Sequence, residues 1–437
     1  MSTAVREVPQ AVAPRGVPRL LAGIRDDGRA LSLAAHRRSW GPSPAVRGDQ
    51  GRRGLVDAVR SSGLTGRGGA AFPVAAKLEA VAASRGRPVV VANGAEGEPP
   101  SGKDKVLLAY TPHLVLDGAV LAAQALGAAE AIVAVPPVCR AALGKAIVER
   151  RRAGLHQGVE LRVVAVPETF VAGEETALVR FLDGGPALPT STPPRPFERG
   201  VGGAPTLVQN VESLANLALI ARFGPGWFRS LGTTEEPGSA LVTLSGAVRD
   251  PGVYEVPLGI SLRDLLARAG GADAELSALL VGGYFGTWVP VDEALDAPLS
   301  AAGLAPLGAA PGARAVVALP SSSCGIRETA RVVRWLAAES AGQCGPCVHG
   351  LAAIAGDLEQ IARGEDRETA QQALLRRLPL VHGRGACHHP DGVVRLAASA
   401  LRVFAREAEL HVERGRCSGR AERAILPLPR RRPQEAR

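Results

Sequence analysis

Residues 64–73 read Leu-Thr-Gly-Arg-Gly-Gly-Ala-Ala-Phe-Pro, a glycine-rich turn whose unshielded backbone N–H groups can surround a phosphate while Arg67 supplies charge nearby. Three strings rich in carboxylates and amides come after it: Asn93-Gly94-Ala95-Glu96-Gly97-Glu98-Pro99, Ala172-Gly173-Glu174-Glu175-Thr176-Ala177-Leu178 and Gln209-Asn210-Val211-Glu212. Last comes Gly342-Gln343-Cys344-Gly345-Pro346-Cys347. Six cysteines in 437 residues are too sparse for a disulfide scaffold, so this Cys-x-x-Cys pair points to metal or redox chemistry. Each string alone has a plain structural reading. Residues 66–69 can be a mere turn, Phe72 a core aromatic, and the glutamates charges favoured at helix starts by the macrodipole.

Groups of this kind need strands that end at them. From residue 56 to about 228 the pattern alternates strands over residues 88–92, 131–135 and 161–166 with helices over 113–126 and 141–153. The alternation implies a mainly parallel sheet covered by helices, with ligands at the carboxyl ends of the strands, where both acidic motifs sit. Residues 239 to about 319 change character: a strand over 240–248, a turn at Asp250-Pro251-Gly252-Val253-Tyr254 and a short helix over 262–269 open a small α+β unit. From residue 326 the pattern is helical, over 326–338, 350–363, 368–378 and 391–409, which suggests a small bundle with the paired cysteines at its helix ends.

Composition narrows the function classes. The chain carries a net charge of +9, much of it in the stretch from Arg37-Arg38 to Arg53 and in the Arg430-Arg431-Arg432 tail. A nucleic-acid binder would interleave such charges with aromatics on an ordered face, and aromatics make up only 3% of the residues, so no nucleic-acid partner is expected. If the basic surface steers a partner, an acidic electron carrier fits better. There is no apolar run of the roughly 18 residues needed for a spanning helix, so no direct membrane insertion is expected. The N-terminus lacks a sustained apolar core of a secretory signal, and the expected location is cytoplasmic.

The ordered motifs resemble the 51 kDa flavin- and iron–sulfur-carrying, NADH-binding subunit of respiratory complex I and its NAD-linked hydrogenase and formate dehydrogenase relatives, over residues 55 to 415. The resemblance implies an α/β fold: a Rossmann-like FMN/NAD(P)H-binding domain over residues 56–235, a β-grasp (soluble-ligand-binding) domain over 236–320 and a helical iron–sulfur-binding domain over 321–415. A basic Pro/Gly-rich extension over 1–55, with a short helix at 18–24, and a basic tail over 416–437 flank them. By resemblance Gly66, Arg67, Gly68, Gly69, Lys77, Asn93, Glu96, Gly173, Glu174 and Asn210 contact FMN. Phe72, Glu98 and Glu175 match the nucleotide side, where an aromatic face and carboxylates accepting ribose hydroxyls make physical sense. Cys344, Cys347 and a distant Cys387 match cluster ligands, thiolates being soft ligands suited to cluster iron. The implied partner is a ferredoxin-like or thioredoxin-like iron–sulfur electron-transfer protein.

Three positions depart from the family pattern. Ala95 replaces the Asp of Asn-x-Asp-Glu-Gly-Glu, deleting one polar contact. Arg195 comes after Pro193-Pro194 where the family has an aromatic placed to stack on adenine, and a guanidinium can stack or pair with the 2′-phosphate of NADPH. Ala341 stands where the family has its first cluster cysteine, which leaves a 4Fe–4S cluster with one nonthiolate corner, a 3Fe–4S cluster, or no cluster. A helix over 326–338 would be about 20 Å long and would keep Cys324 out of reach, His349, His388 and His389 are closer candidates, and Cys139 and Cys417 have no partner at useful spacing. Three readings stay open: an NAD(P)H-oxidising electron-transfer subunit, a noncatalytic scaffold of the same fold, and a zinc-stabilised binding protein with a Cys₃His site.

Overall fold

The computed structural model describes residues 19–24, 29–156, 158–365, 367–415, 417, 419 and 424–429. The Arg430-Arg431-Arg432 tail lies outside the described residues. Four strands, β1 (Val89–Asn93), β2 (Glu130–Val135), β3 (Glu160–Ala165) and β4 (Thr206–Asn210), form an all-parallel sheet in the order β3-β2-β1-β4. Both faces are covered, and so the strands are apolar at nearly every position. Val90, Ala92, Ala131, Val133 and Val135 enter the large core, while Val91, Ile132, Ala134 and Val208 point the other way onto Leu178.

The helices preceding the second sheet are α1 (Leu33–Trp40), α2 (Gly48–Ser62), α3 (Val74–Ala83), α4 (Lys103–Tyr110), α5 (Pro112–Leu126), α6 (Pro137–Arg152), α7 (Glu175–Leu182) and α8 (Val211–Arg229). α5 is buried along nearly its whole length and packs on α8 so closely that a Cβ on Gly118 would lie 2.0 Å from the Leu214 carbonyl oxygen. No single described helix is long and apolar enough to cross a membrane; α4 and α5 pass such a test only together, with a 96° bend between them.

The described part of the N-terminal segment is more than a basic extension. Leu20, Leu21, Leu31, Trp40 and Leu55 join the large core, and residues 19–24 form bends rather than the expected helix. The segment is anchored by Glu255, whose buried carboxylate accepts the N–H groups of Arg19, Leu20 and Leu21 at 2.8, 2.9 and 3.1 Å.

The second sheet is mixed, in the order β6-β5-β9-β7-β8, with β5 (Ser239–Gly246), β6 (Gly252–Pro257), β7 (Leu276–Val281), β8 (Thr287–Pro290) and β9 (Ala315–Pro320). β5 and β9 are parallel and the other pairs antiparallel, and α9 (Leu262–Arg268) covers one face. Two single-turn helices, α10 (Val291–Ala294) and α11 (Ala301–Leu304), precede β9.

The other face of this sheet carries Ala278, Leu280, Trp288, Val317 and Leu319 into the core of the C-terminal helices. These are α12 (Gly325–Ala338), α13 (Leu351–Arg363), α14 (Arg367–Val381), α15 (His389–Val403) and α16 (Ala405–Arg414). The expected single helix over 391–409 is two helices that meet at Phe404, whose backbone (φ −106, ψ 29) is not helical. Trp288 fastens sheet to bundle: its ring N–H donates to Thr329 Oγ1 at 2.9 Å, its backbone N–H to Ser399 Oγ at 3.1 Å, and its ring meets Phe404 edge-on at 5.1 Å.

Candidate active site

The site forms where β1 and β4 end side by side, Asn93 opposite Asn210. Asn210 caps α8, its Oδ1 accepting the Glu212 N–H at 3.0 Å, while its Nδ2 donates to Asp104 Oδ2 at 2.8 Å. Asn93 Nδ2 donates to the Gly173 carbonyl at 2.9 Å, drawing the two acidic loops together. They touch through glycine: a Cβ on Gly173 would lie 2.8 Å from the Ala95 carbonyl oxygen, and one on Gly97 2.6 Å from that of Thr169.

The glycine-rich turn lies over the end of β4. Gly66 N–H donates to the Phe72 carbonyl at 2.8 Å, pinching the loop, and a Cβ on Gly68 would meet the Asn210 side chain at 3.4 Å. Gly69, at φ +109, adopts a backbone that other residues rarely take. Phe72 is 51% exposed and offers an open aromatic face, which removes the core-aromatic reading. Gln209 Oε1, buried on β4, has no partner among the described residues.

Arg67 does not present its charge to a ligand at the turn. Its side chain is fully buried, donating to Thr65 Oγ1 at 2.9 Å and toward the Ser239 carbonyl at 3.4 Å, and its backbone N–H binds Ser213 Oγ. Burial, reinforced by nearby Arg314, lowers its pKa to about 9. Lys77 is the better-placed cation: its Nζ lies 3.0 Å from Glu175 Oε2, and both side chains are about one-third exposed (34% and 32%).

The glutamates divide into two kinds. Glu96 is spent on the start of α4, accepting Ser101 Oγ at 2.6 Å and the N–H groups of Asp104 and Lys105 at 3.2 and 3.1 Å. Glu174 caps α7, its Oε2 accepting the N–H groups of Thr176 and Ala177 at 3.0 and 2.9 Å. For these two the helix-start reading describes the observed bonds. Glu98 and Glu175 instead bond to other elements: Glu175 opens α7 but turns its carboxylate to Lys77, with its side chain 32% exposed. Glu98 Oε1 accepts the Tyr284 N–H at 3.0 Å, and burial, partly offset by that bond, pushes its carboxyl up to about 8. Arg195 is exposed, its backbone N–H held by Glu198 at 2.8 Å.

Behind the site lies a buried ionic group absent from the expected residues. Lys103 Nζ bridges Asp104 Oδ1 at 2.7 Å and Glu212 Oε2 at 3.0 Å, and Glu212 Oε1 accepts the Leu241 N–H of β5 at 2.9 Å. Burial, partly countered by Lys103, raises Asp104 to about 6. Their sequence signals are the adjacent charges Lys103-Asp104 that open α4 and the Glu212 of the Gln209-Asn210-Val211-Glu212 string.

The cysteines gather on the adjoining helix ends. Cys344 and Cys347 open the turn Pro346–Gly350 before α13, and Cys387 precedes α15. Burial opposes a Cys344 thiolate, but the amides of Ala386 and Cys347 and the Cys347 thiol outweigh it and hold Cys344 below its ordinary pKa. Burial and Cys344 push Cys347 up to about 12. Cys387 is raised by burial, with Glu174 and Cys344 adding to it and the His389 amide opposing.

The histidines stand apart from these thiols in role. His388 is exposed and 3.3 Å from Asp391, His349 is exposed, and buried His389 bonds the Leu336 carbonyl at 2.9 Å. Among the described residues the compact single-ion constellation is elsewhere, at Cys324, His411 and Cys417.

Amide-lined thiols, a glycine cradle and an open aromatic together fit a flavin nucleotide beside an iron–sulfur cluster. Family models agree: residues 59–219 match the Nuo51 FMN-binding domain, 241–279 the SLBB domain, and 327–411 the NADH-ubiquinone oxidoreductase-F iron-sulfur binding region. The chain is 35% identical over 379 residues to the F subunit of NADH-quinone oxidoreductase from Streptomyces coelicolor, covering 82% of this chain and 83% of that one. It is 32% identical to the second F subunit of the same enzyme from Rhizobium meliloti, covering 83% and 90%. The NAD+-reducing [NiFe]-hydrogenase in its air-oxidized state superposes with a TM-score of 0.79 at 30% identity, over 88% of this chain but 65% of that longer chain. The chain belongs to the family of the flavin- and iron–sulfur-binding F subunits of NADH-quinone oxidoreductases.

Proposed function

We propose that this chain is the NAD(P)H-oxidising electron-transfer subunit of a multi-subunit oxidoreductase, acting in the cytoplasm and passing electrons to a ferredoxin-like or thioredoxin-like iron–sulfur protein. The observation that carries it is the adjacency of the two sites: Gln343, next to Cys344, donates to the Pro189 carbonyl at 2.7 Å, and the Phe170 N–H, just ahead of the Gly173 loop, donates to Glu339 Oε2 at 3.0 Å. FMN, when bound, accepts two electrons from nicotinamide and releases them one at a time.

In this reading Gly66, Gly68, Gly69 and Lys77 hold the flavin phosphate, and Asn93, Gly173 and Asn210 shape the ring and ribityl pocket. Glu96, Glu174 and Arg67 act indirectly, by setting α4, α7 and the glycine turn. Phe72, Glu98 and Glu175 face the nucleotide, and exposed Arg195 is available to a 2′-phosphate. Cys344, Cys347 and Cys387 hold a cluster whose fourth corner, at Ala341, lacks a thiolate.

The test is an absorption spectrum of anaerobically purified protein with FMN, iron and sulfide counted per chain, followed by reduction with NADH and with NADPH. Flavin and iron that bleach on addition of either nucleotide support the reading. Protein without flavin or iron, after reconstitution with both, overturns it in favour of a noncatalytic scaffold.

A further inference from the structure

We propose that Cys324, His411 and Cys417 form a second metal site, for a zinc-class divalent cation, distinct from the cluster cysteines. Their three ligand atoms lie within 4.8 Å of one another, and Cys324 Sγ is 3.2 Å from His411 Nε2. Around a tetrahedral ion with bonds of about 2.0–2.3 Å, ligand atoms are separated by roughly 3.3–3.8 Å, so only small shifts are needed. All three residues are buried, at 5%, 0% and 7% exposure.

The chemistry of the donor set selects the ion. Two sulfurs and an imidazole are soft to borderline ligands, unsuited to magnesium or calcium. Two thiolates also neutralise a divalent charge, which a buried site requires, and binding releases the two thiol protons. Each sulfur already receives a backbone donor, Cys324 from the Arg327 N–H at 3.4 Å and Cys417 from the Gly419 N–H at 3.3 Å. Donors of this kind orient and stabilise metal-bound thiolates. The third donor, Cys417, converges on the same point as this thiol–imidazole pair.

The site does not belong to the cluster. Cys324 and Cys417 fall outside residues 327–411 matched by the iron–sulfur region, and α12 separates Cys324 from Cys344. Its position suggests a clip. Cys324 joins β9 to α12, His411 lies in the last turn of α16, and Cys417 comes after the Gly415 turn. Beyond it, Leu426 exchanges hydrogen bonds with Glu328 and Arg331, both at 2.8 Å, and Tyr284 Oη donates to the Pro427 carbonyl at 2.5 Å. A metal here would fasten the chain end across the junction of β-grasp and bundle.

The full chain, purified anaerobically and incubated with Zn²⁺, is analysed for zinc and iron. About one tightly held zinc per chain is expected, with His411→Gln and Cys417→Ser each lowering it about tenfold or more at unchanged iron. Cys344→Ser should do the reverse, losing iron and keeping zinc, so failure of the cluster assignment reads separately from failure of this one. If the variants do not fold, Co²⁺ loaded into the wild-type chain should give a thiolate-to-cobalt charge-transfer band that survives Cys344→Ser. Absence of zinc from the Zn²⁺-treated wild type, zinc indifferent to both substitutions, or a Cys324–Cys417 disulfide in the anaerobic protein overturns the proposal.

Discussion

Asn210 Nδ2 reaches the Asn93 carbonyl oxygen at 3.4 Å, joining the carboxyl ends of two adjacent parallel strands across their last registered pair. Each asparagine also organises the segment after its strand, Asn210 the start of α8 and Asn93 the loop that meets Gly173. The floor of the cleft is therefore built by the same side chains that the proposed function sets beside the flavin, and its tolerance to substitution is low.

Gly68→Glu should abolish flavin binding while the protein stays folded, because a carboxylate would enter the phosphate cradle and crowd Asn210, 3.4 Å from the new Cβ. Flavin released by denaturation and counted per chain checks this. Unchanged stoichiometry would reject the pocket assignment.

Gly173→Ala should destabilise the folded chain by about 1–3 kcal/mol, since its methyl would meet backbone rather than a yielding side chain. The clash is with the Ala95 carbonyl oxygen at 2.8 Å. Denaturant unfolding measures it, and a wild-type midpoint would show that the two loops can separate freely.

Glu98 sets a pH dependence. Its carboxyl titrates near 4.5 ordinarily and at about 8 in the folded chain, through burial, so the folded state holds the proton more tightly. The stability this group contributes is full below its unfolded value and is lost as pH rises through about 8. Melting temperature should fall across that window, and Glu98→Gln should flatten the slope. An unaltered slope in the variant would remove Glu98 as its source.

Glu175→Ala should raise the apparent KM for nicotinamide nucleotide about tenfold with flavin retained, the loss of roughly one charge-assisted hydrogen bond. Steady-state kinetics with a ferricyanide acceptor decides it; lost flavin at constant KM would reverse the roles. Arg195→Phe, in the same assay, should shift preference toward NADH by removing a phosphate partner and restoring an aromatic surface. Equal specificity ratios before and after would dismiss the NADPH reading.

Ala341→Cys should complete a four-thiolate site and make the cluster more resistant to oxidation, with Cys344→Ser lowering iron sharply in either background. Iron and sulfide counts and electron paramagnetic resonance of the reduced protein track both. Cys324→Ser should leave the cluster intact; its loss there would make Cys324 the fourth ligand.

Local pattern in the chain encodes three of the four strands of the parallel sheet, the spans of α5, α6, α9 and the C-terminal helices to within a few residues, and the order of glycine, acidic and cysteine motifs, but not β4 or the helices α1–α4, α7 and α8. These signals repeat within one element and need no distant partner to be recognised. Which polar groups face the cleft depends instead on packing. Glu96, Glu98, Glu174 and Glu175 sit in similar acidic strings, yet Glu96 and Glu174 take up the amides of helix starts while Glu98 accepts the Tyr284 N–H and Glu175 pairs with Lys77, because the difference lies in where neighbouring elements arrive. Arg67 turns inward, where the Ser239 carbonyl of β5 is a buried acceptor far away in the chain. Cys417, without a partner in its own stretch of chain, meets Cys324 and His411 because the bundle brings β9's end and α16's end to one point. Long-range convergence is a property of packing, and no local spacing records it.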